Sequence, residues 1–224
     1  MKKGLIAATL LIFALGTASL ARADQFFFTN AGAVDTAGDP VAATANFSLS
    51  GTTLTLTLKD LQGGVGSAGQ LLTGLSFTLS SGGAALNSQM GDLITIAADG
   101  SVTDLGTQSL GWGFGGLNGG FELCVICQGG ISALATPSEG IIGPTPYPTT
   151  KDSISGNGPH NPFVNQVATF TFTIAPGVTI SNVQFSFGTQ AGDTISAPEP
   201  ASLSLLAAGL LGLGFKLRRR SKRS

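Results

Sequence analysis

The stretch Ala45-Asn-Phe-Ser-Leu-Ser-Gly-Thr-Thr-Leu-Thr-Leu-Thr-Leu-Lys59 decides the fold. Leu54, Leu56 and Leu58 fall on one face of an extended chain, and Thr53, Thr55 and Thr57 on the other. A period of two with threonine outside marks a half-buried antiparallel strand. Gly51 interrupts the run where a turn belongs. The same alternation recurs in Leu75–Ser80, Leu93–Ile96 and Ala168–Ile174. It recurs again in Val178–Phe187, where Val183, Phe185 and Phe187 alternate with Asn182, Gln184 and Ser186. Turn residues separate these runs: Asp60-Leu-Gln-Gly-Gly64, Asp99-Gly100 and Ala175-Pro-Gly177. Short strands spaced this way predict an all-β chain, a single β-sandwich of jelly-roll type over residues 24–196. That length suffices for one domain with its own core.

Two stretches break the pattern. From Thr136 to Pro162, six prolines and four glycines replace the alternation, which predicts a long irregular excursion between strands, functional or loose. Gly111–Gly130 is glycine-rich and contains Trp112, Phe114 and both cysteines. Glycine at this density permits tight turns and close backbone approach. Trp112 and Phe114 are read as core or turn packing, with stacking on a sugar ring as the functional alternative. Gly111-x-Gly113-x-x-Gly116 and Gly64-x-Gly66-x-x-Gly69 match the dinucleotide fingerprint as text, but no βαβ unit surrounds either.

Cys124-Val-Ile-Cys127 offers only two thiolates, and His160 is the one histidine, so a zinc set is incomplete. In a flat strand, residues i and i+3 point to opposite faces, too far apart to bridge. A Cys124–Cys127 disulfide closing a tight turn therefore leads, ahead of buried free thiols and redox catalysis. No cofactor is implied. Asp99 and Asp104 with nearby carbonyls are a calcium candidate without the EF-hand spacing. No Gly-x-Ser-x-Gly is present, and any Ser-His-Asp set would have to use His160. No pair of acids stands out for glycoside hydrolysis. The expectation is a protein that is not an enzyme.

The two ends differ in kind from the middle. Met1-Lys2-Lys3, an apolar run from Gly4 to Leu20 and Ala21-Arg22-Ala23 form the n-region, h-region and Ala-x-Ala site of a signal peptide over residues 1–23. Cleavage is expected between Ala23 and Asp24. At the other end, over residues 197–224, a Pro198-Glu199-Pro200 hinge precedes an apolar run from Ala201 to Phe215. The cluster Lys216, Arg218, Arg219, Arg220, Lys222 and Arg223 follows it. About 17 helical residues at ~1.5 Å each reach roughly 25 Å, the short end for a transmembrane helix, so the flanking cations would snorkel. By the positive-inside rule this tail stays cytoplasmic while residues 24–196 are exported.

With the ends set aside, only Lys59 and Lys151 face eleven acids over residues 24–197, a formal charge of −9 hidden by the whole-chain value of −1. Such a domain lacks the basic patch that phosphates need, so a nucleic-acid partner is excluded.

In order and position, Pro198-Glu199-Pro200, the apolar helix and the Arg-rich end resemble the PEP-CTERM sorting signal of bacterial exported proteins. The resemblance covers the last 27 residues and carries no fold for the remainder. It implies a membrane-anchored precursor recognised by exosortase, a membrane transpeptidase-like enzyme, and then processed near the motif to the cell surface or medium. By the same analogy it implies a non-catalytic structural or interaction role beside extracellular polysaccharide. A carbohydrate-binding or carbohydrate-active β-sandwich is the alternative.

Overall fold

The computed structural model describes residues 24–133, 138–149 and 153–198. The two predicted terminal helices, with Ala21, Ala23, Glu199, Pro200 and the basic cluster, lie outside the described residues. Among the described residues no helix is long and apolar enough to cross a membrane.

The chain is all-β. Twelve strands follow in order: β1 (Gln25–Phe28), β2 (Ala43–Ser50), β3 (Thr53–Asp60), β4 (Leu72–Leu79), β5 (Ala84–Ile96) and β6 (Val102–Ser109). Then come β7 (Gly113–Leu117), β8 (Gly120–Cys124), β9 (Ile141–Ile142), β10 (Phe163–Ile174), β11 (Ile180–Phe187) and β12 (Thr194–Ser196). The alternating run becomes the β2–β3 hairpin, in which Leu54, Leu56 and Leu58 are fully buried. Ser50 pairs with Thr53, and Gly51 supplies a φ of 63° at the first position of the two-residue turn. A glycine there matches the twist of the flanking strands.

Hydrogen bonds order six strands as β6-β5-β10-β3-β2-β1 and five as β12-β11-β4-β8-β7. These two halves face each other. Phe77 of β4 meets Phe47 of β2 at 5.3 Å and Phe172 of β10 at 6.1 Å between ring centroids. Phe114 of β7 meets Phe172 at 4.9 Å. The jelly-roll expectation of two separate sheets needs correction, because the hydrogen bonding is continuous. β9 runs parallel to β10 at Val164 and Asn165 and antiparallel to β4 at Leu72, joining the halves into one sheet. β9 belongs to the proline-rich excursion, which the sequence pattern left without a strand.

That excursion is packed. Ile141, Ile142, Tyr147 and Ile154 are buried, and most of them join Val65, Leu71, Ile94, Ile96 and Phe163 in a second core beside the main one. The Tyr147 hydroxyl donates to the Gly143 carbonyl at 3.0 Å. Burial, and then the Asp60 carboxyl, push that hydroxyl up to about 12, so it remains a donor. Glu139 ties the excursion to the glycine-rich stretch. Its Oε2 accepts from the Gly111 N–H at 2.6 Å, and its carbonyl accepts from the Trp112 Nε1–H at 3.0 Å. Trp112 is buried against Phe170, so the packing reading holds for it and the stacking reading does not.

Candidate functional site: an uncharged cleft beside the disulfide loop

Two glycines of β7 make room for a loop that lies on them. Gly113 and Gly115 sit on the outer face, opposite Cys124 and Glu122. A Cβ on Gly115 would stand 2.9 Å from Ile131, and one on Gly113 would overlap the Ser132 carbonyl. The chain after β8 therefore folds back flat over its own hairpin. A Cys124–Cys127 disulfide, with Cα atoms 5.2 Å apart, makes the reversal. The Val125 N–H donates to the Thr73 carbonyl at 2.8 Å, and the Gln128 N–H donates to Glu122 Oε2 at 2.9 Å. Glu122 is thereby buried, and loss of water pushes its carboxyl up despite the Gln128 hydrogen bonds.

This loop forms one wall of a solvent-open cleft of about 370 Å³ on the outer face of the five-strand half. Ser76 and Thr78 of β4 line it alongside Gln184 of β11 and Thr194 of β12. Three further amides close around them: Gln128 from the disulfide loop, Asn118 from the β7–β8 turn and Asn182 from β11. Half-buried Leu117 adds apolar surface, while the Phe121 ring turns to the core side and stacks on Phe114 at 5.6 Å. No charged side chain lines the cleft. Two acids adjoin lining residues along the chain: buried Glu122 accepts from Gln128, and Asp193 is turned toward the Thr36 hydroxyl, which donates to its Oδ2 at 3.2 Å.

Two backbone devices aim the amides. Asn118-Gly119 is a two-residue turn with φ of 50° and 81°, the type I′ geometry that Asn-Gly favours. Asn182, at φ 51°, falls where the β11–β4 register slips between Ser181 and Gln184. Such a bulge re-aims a side chain out of the ladder. Gly120 forms part of the lining, and a Cβ there would come within 2.7 Å of the Phe77 carbonyl. The sequence reading missed this cleft. The Asn118-Gly119 dipeptide was the one local signal for its rim; the bulge and the folded-back loop have none.

The remaining candidates are placed as follows. Asp24 is exposed and directly precedes β1, whose Gln25 side chain bonds both the N–H and the carbonyl of Ile180. Pro198 is half-buried just after Ala197, whose N–H donates to the Val183 carbonyl at 2.8 Å. Both described ends are thus pinned to one short segment of β11. Asp99 Oδ1 accepts from the Ser101 hydroxyl and N–H, which hold its carboxyl low, while Asp104 Oδ1 accepts from the Gly106 N–H. Asp99 caps its own turn and Asp104 braces the bulge in β6, and among the described residues no three His, Cys, Asp or Glu gather as a metal set. His160 lies half-buried in a 3₁₀ turn, Gly158–His160.

Residues 196–220 match the family model described as the PEP-CTERM protein-sorting motif. The motif implies an exported protein, made as a membrane-anchored precursor and processed by an exosortase. Neither the curated proteins nor the solved structures compared with the chain match it.

Proposed function

We propose that residues 24–196 work outside the cell as a non-catalytic component of the cell surface or extracellular matrix, in contact with extracellular polysaccharide. The match at residues 196–220 carries this reading. Two features of the domain support it. Gln25 bonds Ile180 and Ala197 bonds Val183, so the two ends of the domain lie close together beside β11. The cleft is lined by amides and hydroxyls without a carboxylate, so paired-carboxylate hydrolysis has no seat in it.

Intact mass of the protein from membranes and from medium, in cells with and without exosortase, tests the reading. The expected product starts at Asp24 and ends near Pro198-Glu199-Pro200, and is lost without the enzyme. An unprocessed C-terminus in the membrane of both strains would reduce the tail to a plain anchor and refute delivery to the surface.

A further inference from the structure

We infer that the cleft between the disulfide loop and β12 is a binding site for a neutral saccharide. This rests on the extracellular reading above and adds the ligand class and the place.

The composition of the lining is the first argument. Four primary amides (Asn118, Gln128, Asn182, Gln184) and three hydroxyls (Ser76, Thr78, Thr194) converge from separate elements on one solvent-open space. Each amide offers both a donor and an acceptor, and each hydroxyl can serve as either. A saccharide ring presents the matching array of O–H groups. An ionic ligand would need a counter-charge that this lining lacks. The cleft is uncharged inside a domain with a formal −9, so an anionic polymer meets repulsion from the surroundings and no cation in the site. Leu117 supplies apolar surface for the C–H face of a sugar ring.

Preorganisation is the second argument. Asn118 and Asn182 are held at positive φ by a tight turn and a bulge, so their backbones are fixed before any ligand arrives. Gln128 follows directly on the disulfide, and its N–H is tied to buried Glu122. Gln184 Nε2 donates to the Ser196 hydroxyl at 3.3 Å, which orients its amide. Fixing the groups beforehand lowers the ordering cost of binding. An open cleft volume of about 370 Å³ is in the range of small-ligand sites, enough for one or two sugar rings.

The test is calorimetric titration of the full chain in a polyoxyethylene detergent, which carries no sugar headgroup. The probes are cellohexaose, maltohexaose, mannohexaose and hexa-N-acetylchitohexaose, set against hexagalacturonate as the anionic counterpart. At least one neutral hexasaccharide should bind saturably and hexagalacturonate should not. Thr78→Val and Gln184→Ala, on different strands, should each weaken binding by roughly 5- to 30-fold, the loss of one or two hydrogen bonds. Ser88→Ala, on the six-strand half, should leave it unchanged. Silence with all four neutral probes, equal binding of hexagalacturonate, or indifference to both cleft variants would each overturn the proposal. A protein processed normally by exosortase yet silent here sinks the cleft alone. A protein that binds here yet is never processed sinks the sorting reading alone.

Discussion

Asp60 should make the folded domain lose stability as pH rises from acid toward neutral. It ends β3 with no exposed surface. Its Oδ1 accepts from the Gln62 N–H at 2.8 Å, and the N–H groups of Leu72 and Gly143 also favour the charged form, but Oδ2 has no hydrogen bond of normal geometry. Burial outweighs these bonds and pushes the carboxyl well above the ordinary aspartate range. The folded state therefore holds a proton that the unfolded state releases near pH 4. Between those two values the unfolding free energy falls by up to ~1.4 kcal/mol per pH unit, and above the folded value it levels off. The stabilising contribution is complete below about pH 4 and is lost as pH climbs. Asp60→Asn removes this titration. Its amide nitrogen also faces backbone donors, which costs stability equally at every pH, so the informative quantity is the slope. Urea unfolding of both proteins at pH 4, 5, 6 and 7 gives the difference curve. Buried Glu122 adds a term of the same sign to both proteins and cancels. The wild-type advantage should shrink with pH; a pH-independent difference would refute a buried, protonated Asp60.

Further outcomes follow from the packing. Phe77→Ala removes a fully buried ring that touches Phe47, Phe114, Phe121 and Phe172 across both halves, and should cost about 3–5 kcal/mol in denaturant unfolding. Replacing both Cys124 and Cys127 by Ser opens a very short loop and should cost about 2 kcal/mol by chain entropy, read as a lower unfolding midpoint that reductant no longer changes. Gly115→Leu should lift the disulfide loop off β7 at a cost of about 1–3 kcal/mol. Faster hydrogen exchange at the Ile131 N–H, which donates to the Gln128 carbonyl at 3.2 Å, would report it.

What the sequence alone determined lies in residues whose neighbours along the chain settle their state. Leu54, Leu56 and Leu58 alternate with threonine, and no partner is needed to see that one face is apolar. The terminal signal is likewise local: hinge, apolar run and basic cluster act in order along the chain, and the match to residues 196–220 follows from order alone. Tertiary structure decided the rest. Ile141 and Ile142 look like a fragment of a loop until β10 and β4 present edges for them. Gly113 and Gly115 look like flexibility until Ser132 and Ile131 lie against them. Asn118, Gln128, Asn182 and Gln184 are ordinary surface amides along the chain; a turn, a disulfide and a bulge bring them around one cleft. Alternation and order are properties of neighbours in sequence, while a cleft is a property of segments far apart in it that hydrogen bonds and burial bring together.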